Sequence, residues 1–153
     1  MESTKFHTRV EIPGFGTKTG YSKKNLFLGS CFTENIGNKM AELKFDTSVN
    51  PFGIVYNPVS VAGGLRILLE KRQFREEDLI KHDGLWHSFS HHGKFSGTDI
   101  LLTLERVNTE IGQAANYLKN ADFLFITFGT AWVYRYKKTG AAVSNCHKIP
   151  ASE

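Results

Sequence analysis

A hydroxyl and a thiol stand side by side in Gly29-Ser30-Cys31, between the apolar run Leu26-Phe27-Leu28 and Thr33-Glu34-Asn35, which opens a helix. At such a strand-to-helix turn, free backbone N–H groups can bind an anion or a developing oxyanion, so Ser30 is well placed to act as a nucleophile. A second glycine turn, Gly129-Thr130, follows another apolar run, Ala121 to Phe128. If the two runs are neighbouring strands, both turns open onto one crevice at the carboxyl ends, where open α/β sheets bind ligands. The purely structural alternative is that Gly29 permits a tight turn and Ser30 helps to cap the helix. No G-x-S-x-G surrounds Ser30, so the nucleophile elbow of the α/β-hydrolases is not indicated.

Cys31 is the rival nucleophile, with a histidine such as His147 as its base, because a helix amino terminus lowers a thiol pKa. Its structural alternative is a small buried residue packed behind the turn. His87 and His91 are four apart, and His92, Cys146 and His147 add metal-ligand types. The glutamate of H-E-x-x-H is absent, since Ser88 follows His87, and Ser90 and Gly93 suggest a loop. Solvated or hydrogen-bonded loop histidines are therefore the preferred reading, with His92 a candidate to line the crevice and touch substrate. No metal is expected.

The elements that position these residues can be read from periodicity. Residues 1–24, rich in Gly, Thr and Lys, read as an irregular arm, and 25–153 as one domain. Asn25 to Leu28 is a short strand. Thr33 is a cap for a helix carrying Ile36, Met40 and Leu43 on one face. Residues 46–56 are extended but interrupted at Asn50-Pro51-Phe52-Gly53. Asn57-Pro58 begins a helix with a capping side chain followed by proline at the first position, and Val61, Leu65, Leu68 and Leu69 form its apolar face. Residues 71–95 have no clear assignment. Ser96 to Asp99 resembles a capping box ahead of a long helix striped by Ile100, Leu104, Val107, Ile111, Ala115 and Leu118. Ala121 to Phe128 has the profile of a central strand covered on both faces. Lys137-Lys138-Thr139-Gly140 reads as the turn of a hairpin between AWVYRY and AAVSN. This order predicts an α/β three-layer sandwich with a parallel sheet.

The 153 residues suit one domain with its own core, and 41% hydrophobic with 22% charged residues is ordinary for a globular chain. Twelve phenylalanines predict prominent aromatic packing. The net charge of +4 is spread over scattered Lys and Arg, without the basic, aromatic-interleaved stripe of a nucleic-acid groove. Two cysteines make no disulfide framework. The amino terminus lacks a signal-peptide pattern and no apolar run approaches the ~20 residues of a membrane span, so a cytoplasmic protein without a nucleic-acid or membrane partner is expected.

Taken in order, LFLGSCFTENIG, NPFGIVYNPVS, WHSFSHHGKFSG, FITFGTAWVY and NCHKIP resemble the GSCFA family, with Thr33 in place of the motif's alanine. That family is grouped with the SGNH (GDSL-like) hydrolases, three-layer α/β esterases and lipases. The resemblance implies a serine ester hydrolase acting on a small-molecule or carbohydrate ester, an acetyl group for instance, with no cofactor. It implies Ser30 as the nucleophile and an oxyanion hole from the N–H groups of Ser30 and Gly53. The asparagine of the family's Gly-x-Asn block is absent from Gly129-Thr130-Ala131; Thr130, Asn57 or Asn145 could replace it. His92, His147, Asn57 and Asn145 are the substrate-binding candidates. The Asp-x-x-His that supplies the general base in SGNH enzymes is also absent, and the pattern is expected to continue past NCHKIP. The expected consequences are a chain inactive by itself and apolar surface open to self-association. A non-catalytic ligand-binding module, or a fragment of a longer enzyme, is the alternative from a different class.

Overall fold

The computed structural model describes residues 10–144, 148–150 and 152. In chain order it contains β1 (Lys24–Gly29), α1 (Cys31–Glu42), β2 (Asp46–Val49), α2 (Pro58–Glu70), β3 (Leu79–His82), β4 (Leu85–Ser88), α3 (Ile100–Lys119), β5 (Phe123–Thr127), β6 (Tyr134–Arg135) and β7 (Ala142–Val143). Strands β2, β1 and β5 form a parallel sheet in that order. Beside it lie two antiparallel hairpins, β3–β4 and β6–β7.

Alternate residues of β1 face opposite layers, as a two-residue period requires. Leu26 and Leu28 join one buried cluster with Val61, Ile67 and Leu68 of α2 and Val107, Ile111, Ala114 and Ala115 of α3. Phe27 faces the other side, stacked on Phe125 at 4.6 Å and packed beneath Gly37 of α1. Helix α1 therefore covers one face of the sheet and α2 with α3 the other, giving the expected α/β/α layering.

Several expectations change in detail. Helix α1 meets the sheet through Thr33 and Gly37, whose small size lets it approach closely; Ile36 and Leu43 point outward. Its N-cap is Ser30, not Thr33. On α2, Ile67 takes the buried place expected for Leu69. Asp99 itself caps α3, accepting from the Leu102 N–H at 2.9 Å, while Ser96 binds the His87 ring instead of forming a capping box.

The largest correction concerns β5. It is an edge strand among the described residues, not a central one, and Leu124 and Phe128 are 42% and 55% exposed. Strand β1 holds the central place because it alone has a parallel partner on each side. Residues 71–95 resolve into the β3–β4 hairpin and two short 3₁₀ turns. Asp83 and Gly84 both have positive φ, the conformation favoured in a two-residue hairpin loop. No described helix is long and apolar enough to cross a membrane.

Candidate active site

The end of β1 is built by close backbone approach. Gly29 has φ +147°, and a Cβ there would lie 2.0 Å from the Thr127 carbonyl oxygen, so a side chain would push β1 and β5 apart. Opposite Gly29, the Asn50 side chain accepts the Gly29 N–H at 2.8 Å and donates to Glu34 Oε2 at 3.2 Å. Asn50 is fully buried in the left-handed region and ties the loop after β2 to the strand that precedes Ser30. The Val55 N–H adds a bond to the Gly29 carbonyl at 2.9 Å.

Ser30 sits at the N-cap of α1 but makes no side-chain cap bond. Its Oγ lies 2.9 Å from Thr127 Oγ1, and its N–H is shared between the Thr127 carbonyl and hydroxyl. Thr33 Oγ1 closes on the same Thr127 hydroxyl. Thr127, the last residue of β5, is thus the hub that orients Ser30. The first intrahelical bond of α1 runs from the Glu34 N–H to the Ser30 carbonyl, so the N–H groups of Cys31, Phe32 and Thr33 have no acceptor within the helix. They place the positive end of the helix dipole beside the Ser30 hydroxyl.

Gly129 completes the wall. A Cβ there would lie 2.7 Å from the Tyr56 ring and 3.5 Å from Ser30 Cβ, so the second glycine turn packs against the first. The two turns share the carboxyl edge of the sheet, as their strands' register requires: Gly29 pairs with Thr127. Ser30 itself is only 5% exposed.

The other predicted residues fall in several places. The Gly53 N–H donates to the Asn50 carbonyl at 2.7 Å, and the Thr130 N–H to the Tyr56 carbonyl at 3.3 Å. The Asn57 side chain caps α2 through the Ser60 N–H at 2.8 Å. His92 packs against Gly53, donates its N–H to the Phe52 carbonyl, and accepts from the Lys94 N–H with its ring. Asn145, Cys146 and His147 lie outside the described residues, and so does the test of His147 as a base. Cys31 is exposed at the first position of α1, not buried behind the turn. Among the described residues no imidazole or carboxylate is hydrogen-bonded to Ser30.

Two further histidines, His87 and His91, are held by hydrogen bonds to neighbouring groups. His87 lies in β4, not in a loop, and its ring bonds Ser96 and the His82 carbonyl; burial lowers its pKa. His91 is fully buried, with Nδ1 2.8 Å from Ser88 Oγ. No three described His, Cys, Asp or Glu side chains are grouped so as to hold a metal ion.

Sequence reasoning missed Thr127, Asn50, Glu34 and Tyr56. Only Asn50 carried a signal, as the residue before Pro51 in a glycine-containing turn. The rest are known only through pairing at long sequence separation.

No curated protein and no solved structure matches this chain. The model of the GSCFA family matches residues 24–153, the span that holds every element described above. By that match the chain belongs to the GSCFA family.

Proposed function

We propose that Ser30 is the acyl-accepting nucleophile of an ester hydrolase of the SGNH type, acting on an acyl or acetyl ester such as one on a carbohydrate. The observation that carries this reading is the Ser30 hydroxyl itself. It occupies an N-cap position without capping the helix, and is held instead by Thr127 at the carboxyl edge of the parallel sheet. In the reaction Ser30 Oγ attacks the ester carbonyl carbon, its proton passes to a base, and the alcohol leaves with a proton. Water then attacks the acyl-serine and releases the acid. The carbonyl oxygen, negative in each tetrahedral intermediate, is stabilised by the first-turn N–H groups of α1, Cys31 foremost as the residue after the nucleophile. Gly53 and Thr130 join this hole by exchanging their present acceptors, Asn50 and Tyr56, for the oxyanion. None of the described residues offers Ser30 an imidazole, so the base is to be sought beyond them, with His147 the nearest candidate in the sequence.

A serine without its base is a weak nucleophile, and removing a triad member costs on the order of 10⁴-fold or more in rate. With no base held against Ser30 among the described residues, slow turnover of p-nitrophenyl acetate by the chain is the expected result, and rapid Ser30-dependent turnover would point to His147 as the base. Adding imidazole supplies a base, and peptide mapping by mass spectrometry then reads where acetyl accumulates. Imidazole-dependent acetylation of Ser30, lost in Ser30→Ala and kept in Cys31→Ser, is the expected result. Label on Cys31 that survives Ser30→Ala would replace this reading with thiol chemistry, which the exposed position of Cys31 beside Ser30 favours as second choice. Label on neither residue would favour a non-catalytic binding role.

A further inference from the structure

A cavity of about 1130 Å³ opens between the β3–β4 and β6–β7 hairpins; Ser30, Gly53 and Thr130 do not line it, while His92, which packs against Gly53, stands in its wall. Three cations line it: Arg135, Lys137 and Lys148; among the described residues Asp83 is the sole carboxylate in the wall. Arg135 donates to the Gly140 carbonyl at 2.9 Å and Lys137 to the Ser152 carbonyl at 3.2 Å. Lys148, only 7% exposed, donates to the carbonyls of Ser88 and His91. Among the described residues none of the three has a carboxylate partner, whereas cations elsewhere, such as Lys23, Lys39 and Arg72, do. An ammonium withdrawn from water without a counter-charge is costly, and carbonyl dipoles compensate only in part. Phe89 and Tyr136, with ring centroids 4.9 Å apart, offer an aromatic wall beside the charges.

We propose that this cavity binds a small ring-bearing organic anion, its carboxylate or phosphate paired with Lys148 and Arg135 and its ring laid on Phe89 and Tyr136. The charge supplies what the three cations lack, and a flat or sugar ring fits a wall of aromatic faces. The proposal is independent of the chemistry assigned to Ser30.

Isothermal titration at physiological ionic strength tests it with four probes on the full chain: phenyl phosphate, benzoate, inorganic phosphate and benzyl alcohol. The expected order is that phenyl phosphate and benzoate bind, inorganic phosphate binds more weakly, and benzyl alcohol does not bind. Whichever of the two ring anions is tighter names the acid group. Lys148→Met should weaken the tighter ring anion about ten-fold or more, as loss of a charge-assisted bond in a partly dry site implies. Arg135→Gln and Lys137→Gln alter exposed side chains, so they keep the test sharp if Lys148→Met fails to fold; Arg135→Gln should weaken binding several-fold. Phe89→Ala should bring phenyl phosphate down toward inorganic phosphate. Benzyl alcohol binding as tightly as phenyl phosphate, unchanged affinity in Arg135→Gln, or no binding of either ring anion would overturn the proposal.

Discussion

His91 should make this protein acid-labile, in a way that a single substitution removes. Its ring is 0% exposed and sits among Phe52, Phe74 and Phe95 at 5.0, 5.1 and 5.1 Å. Nδ1 reaches Ser88, Nε2 has no partner among the described residues, and the Lys148 ammonium stands nearby. Burial first, and Lys148 second, lower its pKa from 6.5 to about 3. Above the unfolded value of 6.5 the ring is neutral in both states and contributes no pH dependence. Below it the unfolded chain takes up a proton that the folded ring refuses, so stability falls as pH drops, by about 1.4 kcal/mol per unit until the folded pKa is reached. At pH 5 the loss is about 2 kcal/mol, and over the full 3.5 units between 6.5 and about 3 it approaches about 5 kcal/mol. A domain is typically stable by about 5–15 kcal/mol, so this one ring consumes much of that margin. His91→Phe keeps an aromatic ring in the cage but cannot take up the proton. Urea unfolding followed by tryptophan fluorescence, at about pH 7.5 and pH 5, should show the variant gaining about 2 kcal/mol on the wild type as pH falls. Comparing the two proteins cancels His87, which titrates in the same direction. Equal pH dependence in both proteins, or a His91 ring proton resonance titrating near 6.5, would refute the reasoning.

Other consequences are as direct. Gly29→Ala, whose Cβ would meet the Thr127 carbonyl, should destabilise at or above the upper end of the roughly 1–3 kcal/mol usual for overpacking and should remove Ser30 labelling, both read on purified protein. Asn50→Ala leaves the buried Gly29 N–H unpaired and should cost about 1–3 kcal/mol in chemical denaturation; unchanged stability would mean water replaces the side chain. Thr127→Val keeps the strand but deletes the hydroxyl that orients Ser30, so it should lower imidazole-dependent Ser30 acetylation far more than it lowers the melting temperature. The exposed Leu124 and Ile126 on the edge strand, with Phe128 just past its end, should drive self-association, so Ile126→Lys should shift the sedimentation profile toward monomer; an identical profile would place the contact elsewhere.

The sequence made the layered order legible because glycine, proline and capping residues mark its boundaries. Gly29 ends β1, Asn57-Pro58 starts α2, and the Val107-Ile111-Ala115 stripe faces the sheet. The position of β5 was not legible, because an apolar run looks the same whether a neighbouring strand covers it or not. Helix α1 departs from its spacing for a related reason. Ile36 and Leu43 keep helical spacing, yet the sheet is approached by the small Thr33 and Gly37, and spacing carries no record of that distance. The β3–β4 hairpin has one local signal, Asp83-Gly84, set among charged and aromatic residues whose pattern fits no single element. Within the candidate site Ser30 was visible as a residue type at a turn. Its orientation depends on Thr127, and no local pattern relates two residues 97 apart.

That separation also dictates when the site can exist. Strand β1 pairs with β2 from Lys24–Asp46 to Phe27–Val49, an early and fairly local pairing, but its pairing with β5, from Asn25–Phe123 to Gly29–Thr127, spans about 98 residues of chain. During synthesis the helix bearing Ser30 can form while Thr127 is still unmade, and its hydroxyl then has no hub to hold it. Contacts this remote in sequence form slowly and late. Ser30 is thus among the first residues of the site translated and among the last to be set in place, so a chain stalled before β5 would carry Ser30 and Cys31 without the geometry that Thr127 imposes.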